Sequence, residues 1–154
     1  MMHLCCKVLE CLQGKTLVTA ESCTGGGIGQ ALTAVAGSSS VYKGGIISYT
    51  NWVKEKLLCV PGAILEQAGA VSGTVAKYMA QGAKDALQAD VAVSVTGLAG
   101  PGGDDFGNPV GTVFIGYCDG VITISREYHF SGSREAVRNQ AVLSALELIL
   151  EFNS

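Results

Sequence analysis

Two short apolar runs, each released into a glycine-rich loop, constrain this chain more than any other feature. Thr16-Leu17-Val18-Thr19-Ala20 is rich in β-branched residues and reads as a buried strand. Glu21 to Gly27 follows as a loop dense in glycine, and an apolar helical pattern begins just after it. Val91 to Val95 repeats the arrangement and runs into Thr96-Gly97-Leu98-Ala99-Gly100-Pro101-Gly102-Gly103, which its glycines and proline keep out of any helix. Around these runs, residues 2 to 13 read as a helix with Leu4, Val8 and Leu12 on one face. Gly45 to Tyr49 reads as a strand, followed by a helix through Trp52, Lys54 and Leu58 that stops before Pro61. Ser72 caps a long helix to about Gln88, and Ser133 caps a last one to about Glu151. Val110 to Tyr117 and Val121 to Phe130 flank Asp119-Gly120, a two-residue hairpin signal in which both turn positions take positive φ.

Strands that alternate with helices early and pair as a hairpin late predict an α/β fold: a three-layer α/β/α sandwich with a mixed sheet. The 154 residues are 48% hydrophobic, enough for one core, and no linker or repeat divides them, so residues 1–154 are expected to form a single domain. In such sheets ligands gather at the carboxyl ends of the strands, where both glycine-rich loops begin.

Charge excludes several roles. A net charge of −3, with charged residues at 15% and no Lys/Arg cluster, gives no footprint for nucleic acid. Met1 to Gln13 lacks the charged front and small-residue cleavage site of a signal peptide, and no apolar run approaches a membrane span. Six cysteines and two histidines show no zinc spacing, so the expectation is a cytoplasmic protein with reduced thiols, no metal and no cofactor.

Neither familiar nucleotide fingerprint fits. A Gly-x-Gly-x-x-Gly beginning at Gly25 would need a small residue where Gln30 stands, and Gly14-Lys15-Thr16 precedes a strand instead of following one. A more general property survives, since glycines let backbone N–H groups approach an anion closely. Arg134 and Arg138, one turn apart near the start of the last helix, oppose its macrodipole, which either a bound anion or an ion pair with Glu135 would offset. With no histidine beside a candidate nucleophile, a lysine whose burial lowers its pKa is the alternative base. The segment from Gly37 to Lys54 concentrates serines, tyrosines and lysines around one strand. Cys23, just before a helix start, is a second candidate nucleophile, for which packing in the turn is the competing and preferred explanation.

Taken together, Thr19-Ala20-Glu21-Ser22-Cys23-Thr24-Gly25-Gly26, Gly37-Ser38-Ser39, Gly44-Gly45-Ile46-Ile47-Ser48-Tyr49-Thr50-Asn51 with Lys54, Gly69-Ala70-Val71-Ser72, Val95 to Gly103 and Pro109-Val110-Gly111-Thr112 resemble the C-terminal domain of the CinA, or competence-damage, family. The resemblance spans nearly the whole chain. It implies a hydrolase that converts the carboxamide of nicotinamide mononucleotide to a carboxylate with release of ammonia, a step of pyridine nucleotide salvage. On matching motifs it implies Ser39 as nucleophile, Lys54 as base and Tyr49 as proton relay. Thr24, Gly25, Gly26, Thr96 and Gly97 would hold substrate, and Arg134 or Arg138 its phosphate. The expected partner is this small nucleotide, with neither nucleic acid nor membrane, and a homodimer is the expected assembly. Three positions depart from the family pattern: Ala36 replaces a proline, Gly73 an acidic residue and Asn108 a lysine often found before the Pro-Val-Gly segment. These departures motivate an alternative, a nucleotide-binding or regulatory module of the same fold without turnover. No residue matches the family's N-terminal domain, and its metal-dependent pyrophosphatase activity is not implied.

Overall fold

The computed structural model describes residues 1–154. Helix α1 covers Met2–Cys11, β1 Leu17–Glu21, α2 Gly27–Thr33 and β2 Tyr42–Ile47. Helices α3 (Asn51–Leu58), α4 (Gly62–Ala68) and α5 (Gly73–Leu87) follow. Then come β3 (Val91–Gly97), β4 (Thr112–Cys118), β5 (Thr123–His129) and α6 (Arg134–Asn153). The five strands form one sheet in the order β2-β1-β3-β4-β5. β1 pairs parallel with β2 and β3, while β4 pairs antiparallel with β3 and β5, so the sheet is mixed.

Each face of the sheet carries its own core. Leu17 on β1 and Val91, Val93 and Val95 on β3 bury against Val8 of α1 and Leu12 just after it, Ile28 of α2 and Leu146 and Ile149 of α6. Their sequence neighbours Val18, Ala20 and Ala92 point to the other face, against Leu58, Leu65, Met79 and Ala83 of α3 to α5. Covered on both sides, β1 and β3 read as continuous apolar runs without the alternation of a half-exposed strand. The three-layer expectation therefore holds. Small residues set the spacing of the second face: a Cβ at Gly116 would strike the Ala76 carbonyl of α5, and one at Gly82 the Leu58 carbonyl.

Local chemistry sets the ends of the helices. Ser72 and Ser133 accept from the N–H of Val75 and Ala136, each at 3.2 Å, as their cap positions predict. Thr50 Oγ1 accepts from Val53 N at 3.4 Å and starts α3. That cap explains a difference from the expected strand 45–49, because residues 48–50 turn out of the sheet and β2 lies at Tyr42–Ile47 instead. Helix α4 was not expected. Pro61 is not only a stop but also the N-cap of this seven-residue helix, which is too short to show a period and is held by buried Leu65. The hairpin turn also differs. Only Gly120 has positive φ, at 86°, and four residues separate the strands, with Asp119 Oδ1 accepting from Val121 N and Ile122 N at 2.9 Å each. An aspartate that satisfies the turn through its side chain need not enter the left-handed region itself.

Candidate active site

The parallel register brings three loops to one edge of the sheet. Glu21 lies opposite Ile47 on β2 and Val95 on β3, so the residues that follow each are neighbours. Ser22 N donates to Val95 O at 2.9 Å and Ser48 N to Glu21 O at 2.8 Å. Between these ends lies a cavity of about 440 Å³, within the usual range for small-ligand sites. Ser22, Cys23, Tyr49, Lys54, Thr96, Gly97 and Arg134 help line it, along with Ala70–Val71 and the 98–102 loop. Its walls include two cations, Lys54 and Arg134, and no carboxylate, a balance that favours an anionic ligand.

Lys54 is the unusual member. Its side chain runs from α3 under the loops and is only 1% exposed. Nζ lies 2.9 Å from Ser22 Oγ, 2.8 Å from Ser48 O and 3.4 Å from Tyr49 O, with no carboxylate in reach. Glu21, next to Ser22 in sequence, faces elsewhere. Its Oε1 accepts from Thr24 Oγ1 at 2.7 Å and Ile28 N at 2.8 Å, and its Oε2 from Gly29 N at 3.1 Å, which commits its charge to the start of α2. Burial without a counter-charge lowers the Lys54 pKa from 10.5 to about 8. The three acceptors match either protonation state. An ammonium donates to all three; a neutral amine gives its two N–H groups to the carbonyls and turns its lone pair to the Ser22 hydroxyl.

That geometry suits hydroxyl deprotonation. Ser22 is 7% exposed, follows the last residue of β1 and precedes a turn in which Gly25 and Gly26 take φ of 59° and 101°. Cys23 beside it does not share the role, because burial pushes its thiol up to about 11, so it carries no thiolate at neutral pH. Ser48 Oγ is buried without a hydrogen-bond partner, while its carbonyl serves Lys54.

The expected residues divide sharply. Lys54, Tyr49, Thr96, Gly97 and Arg134 come together around the cavity. Tyr49 sits at the rim, 59% exposed, and its hydroxyl accepts from an Arg134 Nη at 3.2 Å, so what it offers Lys54 is its carbonyl and not its phenol. Thr96 Oγ1 donates to Ala70 O at 2.8 Å and pins one wall. Thr24, Gly25 and Gly26 lie in the turn but not on the cavity wall, and Thr24 faces Glu21. Arg138 is also outside it, bonded to the carbonyls of Cys23 and Thr24 and lining a second cavity between α2 and α6. Ser39 is not brought to Lys54. It is exposed in a 3₁₀ turn, Ser38–Ser40, at the amino end of β2, whereas Lys54 serves the carboxyl end, and six strand residues separate the ends by about 20 Å. The pairing of Ser39 with Lys54 is therefore corrected to Ser22 with Lys54. Ser22 had a signal in the sequence: it directly follows a buried parallel strand, at the edge where ligands collect.

Asn108 is also placed away from the cavity. Its Nδ2 donates to Val71 O at 3.2 Å and Asp104 Oδ2 at 2.7 Å, which fastens the β3–β4 loop to the α4–α5 connection. No group of three or more His, Cys, Asp or Glu side chains could hold a metal ion, and no helix is long and apolar enough to cross a membrane.

Residues 4–153 match the CinA C-terminal domain. A CinA-like protein of Synechococcus sp. (strain RCC307) is 48% identical over 139 residues, covering 89% of this chain but 33% of its own length. The chain thus spans about a third of the length of such relatives. A nicotinamide-nucleotide amidohydrolase PncC of Pseudomonas putida is 45% identical over 138 residues, which are 90% of this chain and 86% of that protein. Among solved structures, a competence-damaged protein superfamily member from Escherichia coli superposes with a TM-score of 0.96 at 36% identity, covering 98% of this chain and 89% of that one. The competence/damage inducible protein CihA from Agrobacterium tumefaciens gives 0.95 at 38% identity, with 99% and 95% covered.

Proposed function

The chain belongs to the CinA C-terminal domain family, and from that premise we propose that it hydrolyses the carboxamide of nicotinamide mononucleotide to nicotinate mononucleotide and ammonia, with Ser22 as nucleophile and Lys54 as base. The observation that carries this reading is the 2.9 Å contact between Ser22 Oγ and a buried lysine of lowered pKa. Similarity to the Pseudomonas putida amidohydrolase over most of both chains supports the choice of substrate.

An amide is a poor electrophile, so the hydroxyl must lose its proton as it attacks. Neutral Lys54 takes that proton while Ser22 Oγ bonds to the carboxamide carbon and the carbonyl oxygen becomes an oxyanion. As the C–N bond breaks, the ammonium of Lys54 returns a proton to the leaving nitrogen and ammonia departs. Water then attacks the acyl-serine, Lys54 accepts its proton, and collapse restores Ser22 and yields the carboxylate. Arg134 is the cation of the cavity wall that faces the nucleotide, and it holds the phosphate. The reaction needs no electron carrier. We place it in the cytoplasm, where this nucleotide resides, and propose a homodimer as the assembly.

Purified protein incubated with nicotinamide mononucleotide should release ammonia and nicotinate mononucleotide in equal amounts. Tight binding of the nucleotide with no product would favour a binding or regulatory module instead.

A further inference from the structure

Arg138 makes no ion pair, although Glu135, one turn earlier on α6, lines the same second cavity. It spends two donors on the catalytic turn: Nε donates to Cys23 O at 3.1 Å and an Nη to Thr24 O at 3.2 Å. The carbonyl before these is also taken, since Ser22 O accepts from Gly25 N at 3.1 Å. Three successive carbonyls of the turn are thus engaged, whereas the N–H groups of Cys23 and Thr24 have no acceptor in the protein. In a trans peptide the C=O and N–H point in opposite directions. With the Cys23 carbonyl drawn to α6, the Thr24 N–H must point away from α6. Cys23 lines the cavity, and its N–H and that of Thr24 are the first two after Ser22, whose hydroxyl meets Lys54 there. Thr24 cannot swivel freely, because its side chain is held from below by Glu21.

We propose that Arg138 is a positioning residue: by clamping the Cys23 carbonyl it orients the Thr24 N–H, which together with the Cys23 N–H, fixed by the turn bond from Gly25 N to Ser22 O, forms the oxyanion hole of the Ser22 reaction. This rests on Ser22 being the nucleophile. It gives the two arginines of α6 different roles, with Arg134 facing substrate and Arg138 facing the backbone of the turn. A guanidinium suits that second role because its planar fork reaches two adjacent carbonyls at once, which a lysine cannot.

The test compares wild type, Arg138→Met and Arg138→Lys, each checked for an unchanged melting temperature, in steady-state hydrolysis of nicotinamide mononucleotide. Removing one oxyanion donor typically costs about 10²–10³-fold in kcat, so Arg138→Met should lose about 100-fold in kcat with KM within about 3-fold. Arg138→Lys should not recover it, and methylguanidine added to Arg138→Gly should restore part of it. A raised KM at unchanged kcat overturns the proposal and makes Arg138 a substrate contact. A second readout needs no carboxamide: the rate at which an alkyl phosphonofluoridate labels Ser22, whose attack also builds an anionic oxygen. Labelling about 100-fold slower in Arg138→Met supports the clamp, and equal rates overturn it. Absence of Ser22 labelling in wild type overturns the clamp and the nucleophile together, whereas labelling without nucleotide hydrolysis overturns only the substrate.

Discussion

Two serine turns in this molecule look alike in composition and differ in everything that makes a hydroxyl reactive. One, Glu21 to Gly26, leaves the carboxyl end of a central parallel strand, and its serine lies against a buried amine. The other, Gly37 to Ser40, enters the amino end of the edge strand β2; its third serine, Ser40, bonds only to the carbonyl of Gly37 at 3.0 Å. Serine has the same intrinsic acidity in both. What differs is the supporting chemistry: a lysine can be buried uncharged only where carbonyls accept its N–H groups, and loop carbonyls converge where three strand ends meet. The contrast teaches that topology, more than the count of nearby hydroxyls, selects the nucleophile.

The largest effect that tests this contrast is Ser22→Ala. Loss of a nucleophile acting with its base costs several orders of magnitude, so ammonia release should fall by at least about 10³-fold with the melting temperature preserved. Retained turnover would falsify the assignment of Ser22.

Lys54→Met should come next, with kcat/KM down by about 10²–10⁴-fold, the usual worth of a general base. In the wild type, kcat/KM should rise with pH and level off above about 8, as the amine becomes neutral. Stability carries the same signature. With a folded pKa of about 8 against 10.5 for an ordinary lysine, the unfolded chain binds the extra proton between those values. Wild-type stability should therefore climb as pH passes from about 8 toward 10.5, by about 3 kcal/mol at most, while Lys54→Met shows no such climb. Denaturant melts of both proteins across that window check the sign. Below pH 8 the buried charge is a full burden, so the difference in stability between wild type and Lys54→Met should move in favour of wild type as pH rises through that window.

Much of this was legible before any coordinates. The double-sided burial of β1 and β3, the capping serines 72 and 133, and the late antiparallel pair all follow from local chemistry that acts within a few residues. Helix α4 was not legible, because seven residues held mainly by the burial of Leu65 carry no period of their own. Of the residues expected in the site, Lys54, Thr96 and Arg134 lie together on the wall of one cavity. The partner of Lys54 was not legible, because it depends on the parallel register of β1 with β2, in which Glu21 lies opposite Ile47. Register is a non-local property, and the serine-rich stretch nearest in sequence competed with the one nearest in space. Arg138 was singled out for the same reason as Arg134, a cation near the start of the last helix, yet one turn of rise moves its guanidinium from the cavity to the back of the Ser22 turn.

Arg134→Met should have an intermediate effect confined to binding. The residue anchors to Gly100 O at 2.7 Å and to the Tyr49 hydroxyl, and makes no hydrogen bond to Ser22 or Lys54. A lost phosphate contact is expected to raise KM about 10–100-fold with kcat changed by less than about 3-fold. Titrating nicotinamide riboside, which lacks the phosphate, sharpens the result, because wild type and variant should then converge.

The smallest effect should come from Ser39→Ala, at the other turn. Its hydroxyl is exposed and makes no side-chain hydrogen bond, so neither a packing contact nor a buried polar group is lost. Stability should stay within about 0.5 kcal/mol and ammonia release within about 2-fold of wild type. Because the length of β2 keeps this hydroxyl about 20 Å from its own chain's cavity, a tenfold loss of activity at unchanged melting temperature would have one geometric route, delivery into the cavity of a second copy. Mixing Ser39→Ala with Ser22→Ala separates the cases: one shared site built from two chains regains activity in the mixed dimer, whereas sites complete within each chain give only the activity of the Ser39→Ala subunits, in proportion to their number.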